Sequence, residues 1–212
     1  MRIIGLTGGI ATGKTTVSNY LSSKHGLPVL DADVYAKEAV AVNSPILQEI
    51  FNHFGDRVKL DDGSLNRSAL GDIIFNDSKA KQWIESKIHP YVRDRFLDAR
   101  SLGDETSPGS HRFTQELATI KQSTVVYAIP LLFEANLTHL VTEIWVVSCN
   151  KELQLSRLQK RNNLTLEQAQ SRINNQLPLE EKIKQADFVL ENNSTVEHLY
   201  QQCDQILLKS NK

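Results

Sequence analysis

Cysteine is nearly missing from this chain: Cys149 and Cys203 are the only two in 212 residues. Two thiols cannot build a disulfide framework or a four-ligand zinc site, so both read as buried thiols of a reducing compartment, the cytoplasm. An excess of charge of one sign is also absent. Lys and Arg number 24 against 25 Asp and Glu, a formal net charge of −1, which gives no global electrostatic pull toward nucleic acid or an anionic membrane. Long apolar runs are missing too. The longest, Val125–Phe133, has nine residues and contains Pro130, whereas a membrane-spanning helix needs about 20. The opening Met1-Arg2-Ile3-Ile4-Gly5 carries neither the apolar run nor the cleavage site of a signal peptide. There is no internal repeat, heptad array or low-complexity tract. What is left is an ordinary composition, 40% hydrophobic and 23% charged, of a water-soluble chain able to fill a sizeable core.

Short apolar runs predict buried strands at Ile3–Thr7, Val29-Leu30, Val125–Ile129, Ile144–Val147 and Phe188–Leu190. A helix over Lys14–Lys24 follows the first, with Val17, Tyr20 and Leu21 at helical spacing. From Val34 to Arg100 the pattern is almost wholly helical, with stops at Asn43-Ser44-Pro45, Gly55, Asp61-Asp62-Gly63 and His89-Pro90. Ser44 and Asn66 read as N-caps, and Thr165/Gln168 and Ser194/Glu197 fit the capping-box spacing. The last helix gathers Val196, Leu199, Tyr200, Cys203, Ile206 and Leu207 on one packing face. Ser101–Ser110 has no periodicity and two breakers, so it is the expected linker. Continuously apolar strands separated by helices predict a parallel sheet covered on both faces, an α/β core interrupted by a helical excursion.

Gly8-Gly9-Ile10-Ala11-Thr12-Gly13-Lys14-Thr15 fits G-x-x-x-x-G-K-[ST] at every fixed position. Chance would produce such a match in roughly one chain in a hundred, and here a strand precedes it and a helix follows. Glycines let backbone N–H groups surround phosphate oxygens at a positively polarised helix start. Lys14 would bridge the β- and γ-phosphates and the Thr15 hydroxyl would ligate Mg²⁺. The chain therefore binds a nucleoside triphosphate. Guanine reading has little support, because no glycine has Asp three residues before it and Asn150-Lys151-Glu152 ends in Leu153. A redox dinucleotide fingerprint is absent, and a small kinase fits better than a nucleotide switch.

Asp31 and Asp33 follow the second strand, where the carboxyl ends of a parallel sheet meet the ligand crevice. They could orient an acceptor hydroxyl or hold metal-bound water, or one could simply cap the next helix. If the chain is still extended there, the two point to different sides. Arg157 and Arg161 lie one helical turn apart and Arg172 falls on the next helix, in a window, 151–172, with five basic residues against two acidic ones. Arginine forks suit phosphate, although a solvated helix face reads the same way. Arg67, His89, Trp83 and Trp145 are structural residues on pattern alone.

Taken in order, GLTGGIATGKTT (6–16), DAD (31–33), FG (54–55), DGSLNR (62–67), IHP (88–90), IPLLFE (129–134), Gln154/Arg157/Arg161, Arg172/Gln176 and Ala186/Asp187/Asn192 resemble the dephospho-CoA kinases along nearly the whole chain. The resemblance implies transfer of the ATP γ-phosphate to the ribose 3′-hydroxyl of dephospho-CoA. It also implies a nucleoside-monophosphate-kinase-like fold: a five-stranded parallel P-loop kinase core in three α/β/α layers, with a helical CoA-domain insertion and a lid. Within a single kinase unit, 1–33, 101–149 and 181–212 would form the nucleotide-binding core, 34–100 the acceptor domain and 150–180 the lid. By the same resemblance Gly8, Gly9 and Ala11–Thr16 hold the nucleotide and Asp33 is the catalytic carboxylate, assisted by Lys14 and Arg161. Asp31, Arg67 and His89 face the acceptor, Arg157 sits in the lid, and Asn192 lies near adenine. The implied partners are ATP, Mg²⁺ and dephospho-CoA, with no nucleic acid or membrane, in a cytoplasmic monomer or weak homo-oligomer. One departure stands out: the family's acid before the PLL segment is replaced by Tyr127-Ala128-Ile129-Pro130.

Overall fold

The structure is a computed structural model that describes residues 1–101 and 124–209. It divides into two compact units, one of Met1–Asp31 with Gln115–Lys212 and the other of Ala32–Thr114.

The first unit is built on parallel strands β1 (Arg2–Gly8), β2 (Val29–Asp31), β3 (Thr124–Ala128), β4 (Glu143–Ser148) and β5 (Phe188–Glu191), in the order β2-β3-β1-β4-β5. All five expected strands are present. Neighbouring strand residues such as Ile3 and Ile4, Val125 and Val126, and Val146 and Val147 are all buried. Successive side chains point to opposite faces of a sheet, so both faces are covered, as a continuously apolar parallel sheet requires. Helix α1 (Lys14–His25) and the C-terminal helix Val196–Lys209 pack on one face, where Val17, Leu21, Leu199, Cys203 and Ile206 meet Ile4, Leu6, Val126, Trp145 and Val147. Val196 is an exception on the predicted packing face, being 39% exposed.

The second unit is helical, with α2 (Ala32–Ala39), α3 (Pro45–Phe54), α4 (Arg67–Asn76) and α5 (Ser78–Ser101). Ser44 Oγ accepts from Leu47 N at 3.0 Å with Pro45 in the first helical position, and Asn66 Oδ1 accepts from Ala69 N at 3.1 Å. Both caps were legible locally. Leu47, Ile50, Phe54, Val58, Leu70 and Ile84 form this unit's own core, with Trp83 packed at its edge against His53.

Three local expectations need correction. The helix does not stop at His89-Pro90: α5 runs through Pro90, although an interior proline removes a backbone donor. Packing over 24 residues of helix outweighs that local penalty. Asp33 is not in extended chain, because β2 ends at Asp31 and α2 starts at Ala32; Asp33 instead sits in the first turn, where a carboxylate complements the helix dipole. The Ser194/Glu197 capping box is displaced by one residue, and Thr195 Oγ1 accepts from His198 N at 3.3 Å. Ser101 closes α5, while the rest of the expected linker lies outside the described residues.

Among the described residues, the first unit also holds α6 (Lys151–Asn162), α7 (Leu166–Asn174) and α8 (Leu179–Lys184), and its C-terminal helix is α9 (Val196–Lys209). The Thr165/Gln168 capping box forms at the start of α7 with both bonds in place.

Candidate phosphate-binding site

β1 is the middle strand, paired to β3 on one side and β4 on the other, so its carboxyl end opens at the point where the strand order reverses. The loop between Gly8 and Lys14 emerges there and runs directly into α1. Gly13 precedes the helix at φ 114°, and Ala11, two residues earlier, holds φ 62°, a left-handed conformation that costs a non-glycine residue about 1–2 kcal/mol. No side chain caps α1, and the first N–H groups of any helix lack intrahelical acceptors. The N–H groups of Lys14 and Thr15 thus point from a positively polarised helix end, a setting made for an anion.

Three side-chain amides grip this loop from behind. Gln154 Nε2, on α6, donates to the Ile10 carbonyl at 2.8 Å. Gln176 Oε1, just beyond α7, accepts from the Ile10 N–H at 2.8 Å. Asn192 Nδ2, just after β5, donates to the Thr12 carbonyl at 2.8 Å. The fit leaves no room for a side chain at either glycine: a Cβ at Gly9 would lie 2.6 Å from Gln154 Nε2, and one at Gly13 would overlap Asn192 Nδ2. Thr12 is fully buried and turns its hydroxyl onto the Gly9 carbonyl at 2.9 Å, so its side chain closes the loop. Asn192 is buried as well, and its amide is spent on the loop backbone.

Lys14 Nζ lies 3.6 Å from Asp31 Oδ2, too long for a strong hydrogen bond and easily exchanged for a phosphate oxygen. Thr15 is exposed, with its carbonyl accepting from Ser18 Oγ at 3.1 Å; Thr16 N donates to the Gly13 carbonyl at 3.0 Å. Asp31 stands opposite Ala128 in the β2–β3 register.

The two arginines of α6 are unlike. Arg157 is half-buried, and its Nη1 is buried with no hydrogen-bond partner among the described residues. An unmet buried charged donor costs about 1–3 kcal/mol or more, which an arriving anion would recover. Burial pushes the adjacent Cys149 thiol up, against the opposing pull of the Arg157 guanidinium. Arg161 is exposed and donates from Nε to Asn162 Oδ1 at 2.9 Å. Arg172 is exposed on α7.

Asp33, Arg67 and His89 belong to the second unit. Asp33 is exposed in the first turn of α2, Arg67 is exposed at the first position of α4, and His89 is half-buried within α5. Residue patterns gave no role to Gln154 or Gln176 beyond their place in the resemblance. They missed Lys182 altogether: within Glu180-Glu181-Lys182-Ile183-Lys184 nothing marks it as buried, yet it is fully enclosed.

The family model described as dephospho-CoA kinase matches residues 2–107 and 109–198. A dephospho-CoA kinase of Trichormus variabilis is 55% identical over 203 residues, covering 96% of this chain and 95% of that one. A dephospho-CoA kinase of Synechocystis is 48% identical over 199 residues, covering 93% and 90%. Among solved structures, a dephospho-CoA kinase from Campylobacter jejuni superposes with TM-score 0.68 at 28% identity, covering all of both chains. A shikimate kinase from Acinetobacter baumannii shares the fold, with TM-score 0.50 at 19% identity over 100% of this chain and 95% of that one.

Proposed function

Because the chain belongs to the dephospho-CoA kinase family, we propose that it transfers the γ-phosphoryl group of ATP to the ribose 3′-hydroxyl of dephospho-CoA. The products are coenzyme A and ADP, and the reaction is the last step of coenzyme A biosynthesis. The observation that carries this reading is the braced loop at the switch point of the sheet, with Lys14 and the open N–H groups of α1 at its mouth.

Phosphoryl transfer asks the protein chiefly for positioning and charge. Lys14 exchanges its loose contact with Asp31 for β- and γ-phosphate oxygens, and the N–H groups of Lys14 and Thr15 fix the β-phosphate. Arg157 offers its unpartnered Nη1 to the phosphate chain. Arg161, on the exposed side of α6, meets the oxygens of the transferring group as bonding loosens. Asp33 accepts a hydrogen bond from the acceptor hydroxyl and aligns its oxygen with phosphorus; Arg67 and His89 hold the acceptor.

Mg²⁺, when bound, would neutralise charge on the β- and γ-phosphate oxygens. Its fit here rests on hard oxygen donors: the exposed Thr15 hydroxyl and the Asp31 carboxylate opposite Ala128. Magnesium keeps most of its waters and needs few protein ligands.

In this reading 34–100 is the acceptor domain, 150–180 the lid, and 1–33, 101–149 and 181–212 the nucleotide core. The two unpaired buried thiols support a reducing, cytoplasmic setting, and a monomer or weak homo-oligomer suffices for the chemistry. Acceptor-dependent ADP formation tests the proposal. With Mg·ATP, dephospho-CoA should raise ADP release far above the rate with AMP, shikimate or uridine; equal rates with all four would defeat it.

A further inference from the structure

A lysine with no exposed surface must be paired, because an uncompensated charge in a protein interior is strongly unfavourable. Lys182 on α8 meets that condition with Nζ 2.8 Å from Glu134 Oε1 and 3.4 Å from the Pro130 carbonyl. Each of these partners has a second bond, and both lead to the phosphate loop. The Pro130 carbonyl also accepts from Thr7 Oγ1 at 3.2 Å, one residue before the loop begins. Glu134 Oε1 also accepts from Leu177 N at 3.0 Å. The residue before Leu177 is Gln176, whose side chain accepts from the Ile10 N–H. The circuit therefore leaves the chain at Thr7, passes through Pro130, Lys182, Glu134 and Leu177, and returns at Ile10.

We infer that the buried Lys182–Glu134 pair is a positioning device for the phosphate loop, acting through Gln176. The inference rests on the reading that this loop holds the ATP phosphates. Glu134 fixes the backbone at Leu177, so the Gln176 side chain has little freedom except to face Ile10. The Ile10 peptide, gripped at N–H by Gln176 and at its carbonyl by Gln154, keeps the turn that sets Ala11 in its left-handed conformation.

The test compares Gln176→Ala, the double replacement Lys182→Met with Glu134→Met, which removes both the charge pair and the acceptor for Leu177 N, and all three together. Removing both partners of a buried pair avoids an orphaned charge, so the double variant is expected to fold; Gln176 is only half-buried. ATP affinity is measured by calorimetry without acceptor, and thermal unfolding and kcat are measured beside it. Gln176→Ala and the double variant should each weaken ATP binding by about 10- to 100-fold, the scale seen when outer supporting partners of a bound group are lost. The triple variant should lose little more, because residues in one path are not additive. A double variant with lowered Tm and unchanged ATP affinity and kcat would make the pair merely structural. Losses that multiply in the triple variant would show that Gln176 and the pair act separately, and would overturn the inference. Because calorimetry needs no acceptor, failure to phosphorylate dephospho-CoA would sink the proposed function and still leave this result readable.

Discussion

Replacing Gly13 by Ala puts two separate costs on one methyl group. The first is conformational: at φ 114° a Cβ meets the backbone, at about 1–2 kcal/mol. The second is steric and polar. The new Cβ overlaps Asn192 Nδ2, which must withdraw from the Thr12 carbonyl it bonds at 2.8 Å. Leaving that buried acceptor unmet costs about 1–3 kcal/mol. Together the two predict a loss of about 2–5 kcal/mol, or a fall in Tm of roughly 4–20 °C for a chain of this size. Scanning calorimetry measures it. Asn192→Ala supplies an internal control, since it removes the clash and the bond together. Gly13→Ala added to Asn192→Ala should therefore cost only the conformational part, and the two changes should be less than additive. A Tm within a degree or two of wild type for Gly13→Ala, or full additivity with Asn192→Ala, would refute the packing argument.

Asp33→Asn should lower kcat by about 10²–10⁴-fold, the usual contribution of an acid–base group, and leave calorimetric ATP affinity intact; full activity would remove Asp33 from the mechanism. Arg161→Ala should lower kcat by about 10²–10³-fold, as when a preorganised charge-stabilising group is lost, and Arg161→Lys should not restore it fully because an ammonium lacks the two-point fork. Steady-state kinetics decide this, and an effect confined to the KM for ATP would make the residue a ground-state anchor. Burial pushes the Cys203 thiol up to about 12. Its raised value keeps the thiol protonated at pH 9, so alkylation monitored by mass spectrometry should spare it until the protein unfolds. Modification of Cys203 in the native protein at that pH contradicts its enclosure.

Local chemistry was legible in the sequence, and long-range chemistry was not. Ser44, Asn66 and Thr165 act on residues three positions away, so their roles follow from spacing. The phosphate loop likewise announces itself within eight residues. The amides that shape it come from 144, 166 and 180 residues away, and no periodicity links Gln154, Gln176 or Asn192 to Ile10 or Thr12. The resemblance named the positions and set Asn192 near adenine, without pointing to their bonds with the loop backbone. Lys182 shows a different blindness, because a lysine among charged neighbours reads as surface until the partner, Glu134, is seen in three dimensions. Pro90 misled for the opposite reason: a strong local breaker was overridden by the packing of the helix that contains it.

The central claim is the position at which phosphate is placed. Phosphorus NMR of the product formed from Mg·ATP and dephospho-CoA tests it most directly, by showing which hydroxyl carries the new monoester. A single new phosphomonoester coupled to the ribose 3′ proton, formed together with one equivalent of ADP, is the predicted result. An unmodified ribose alongside consumed ATP, or a phosphate at any other hydroxyl, would contradict the account.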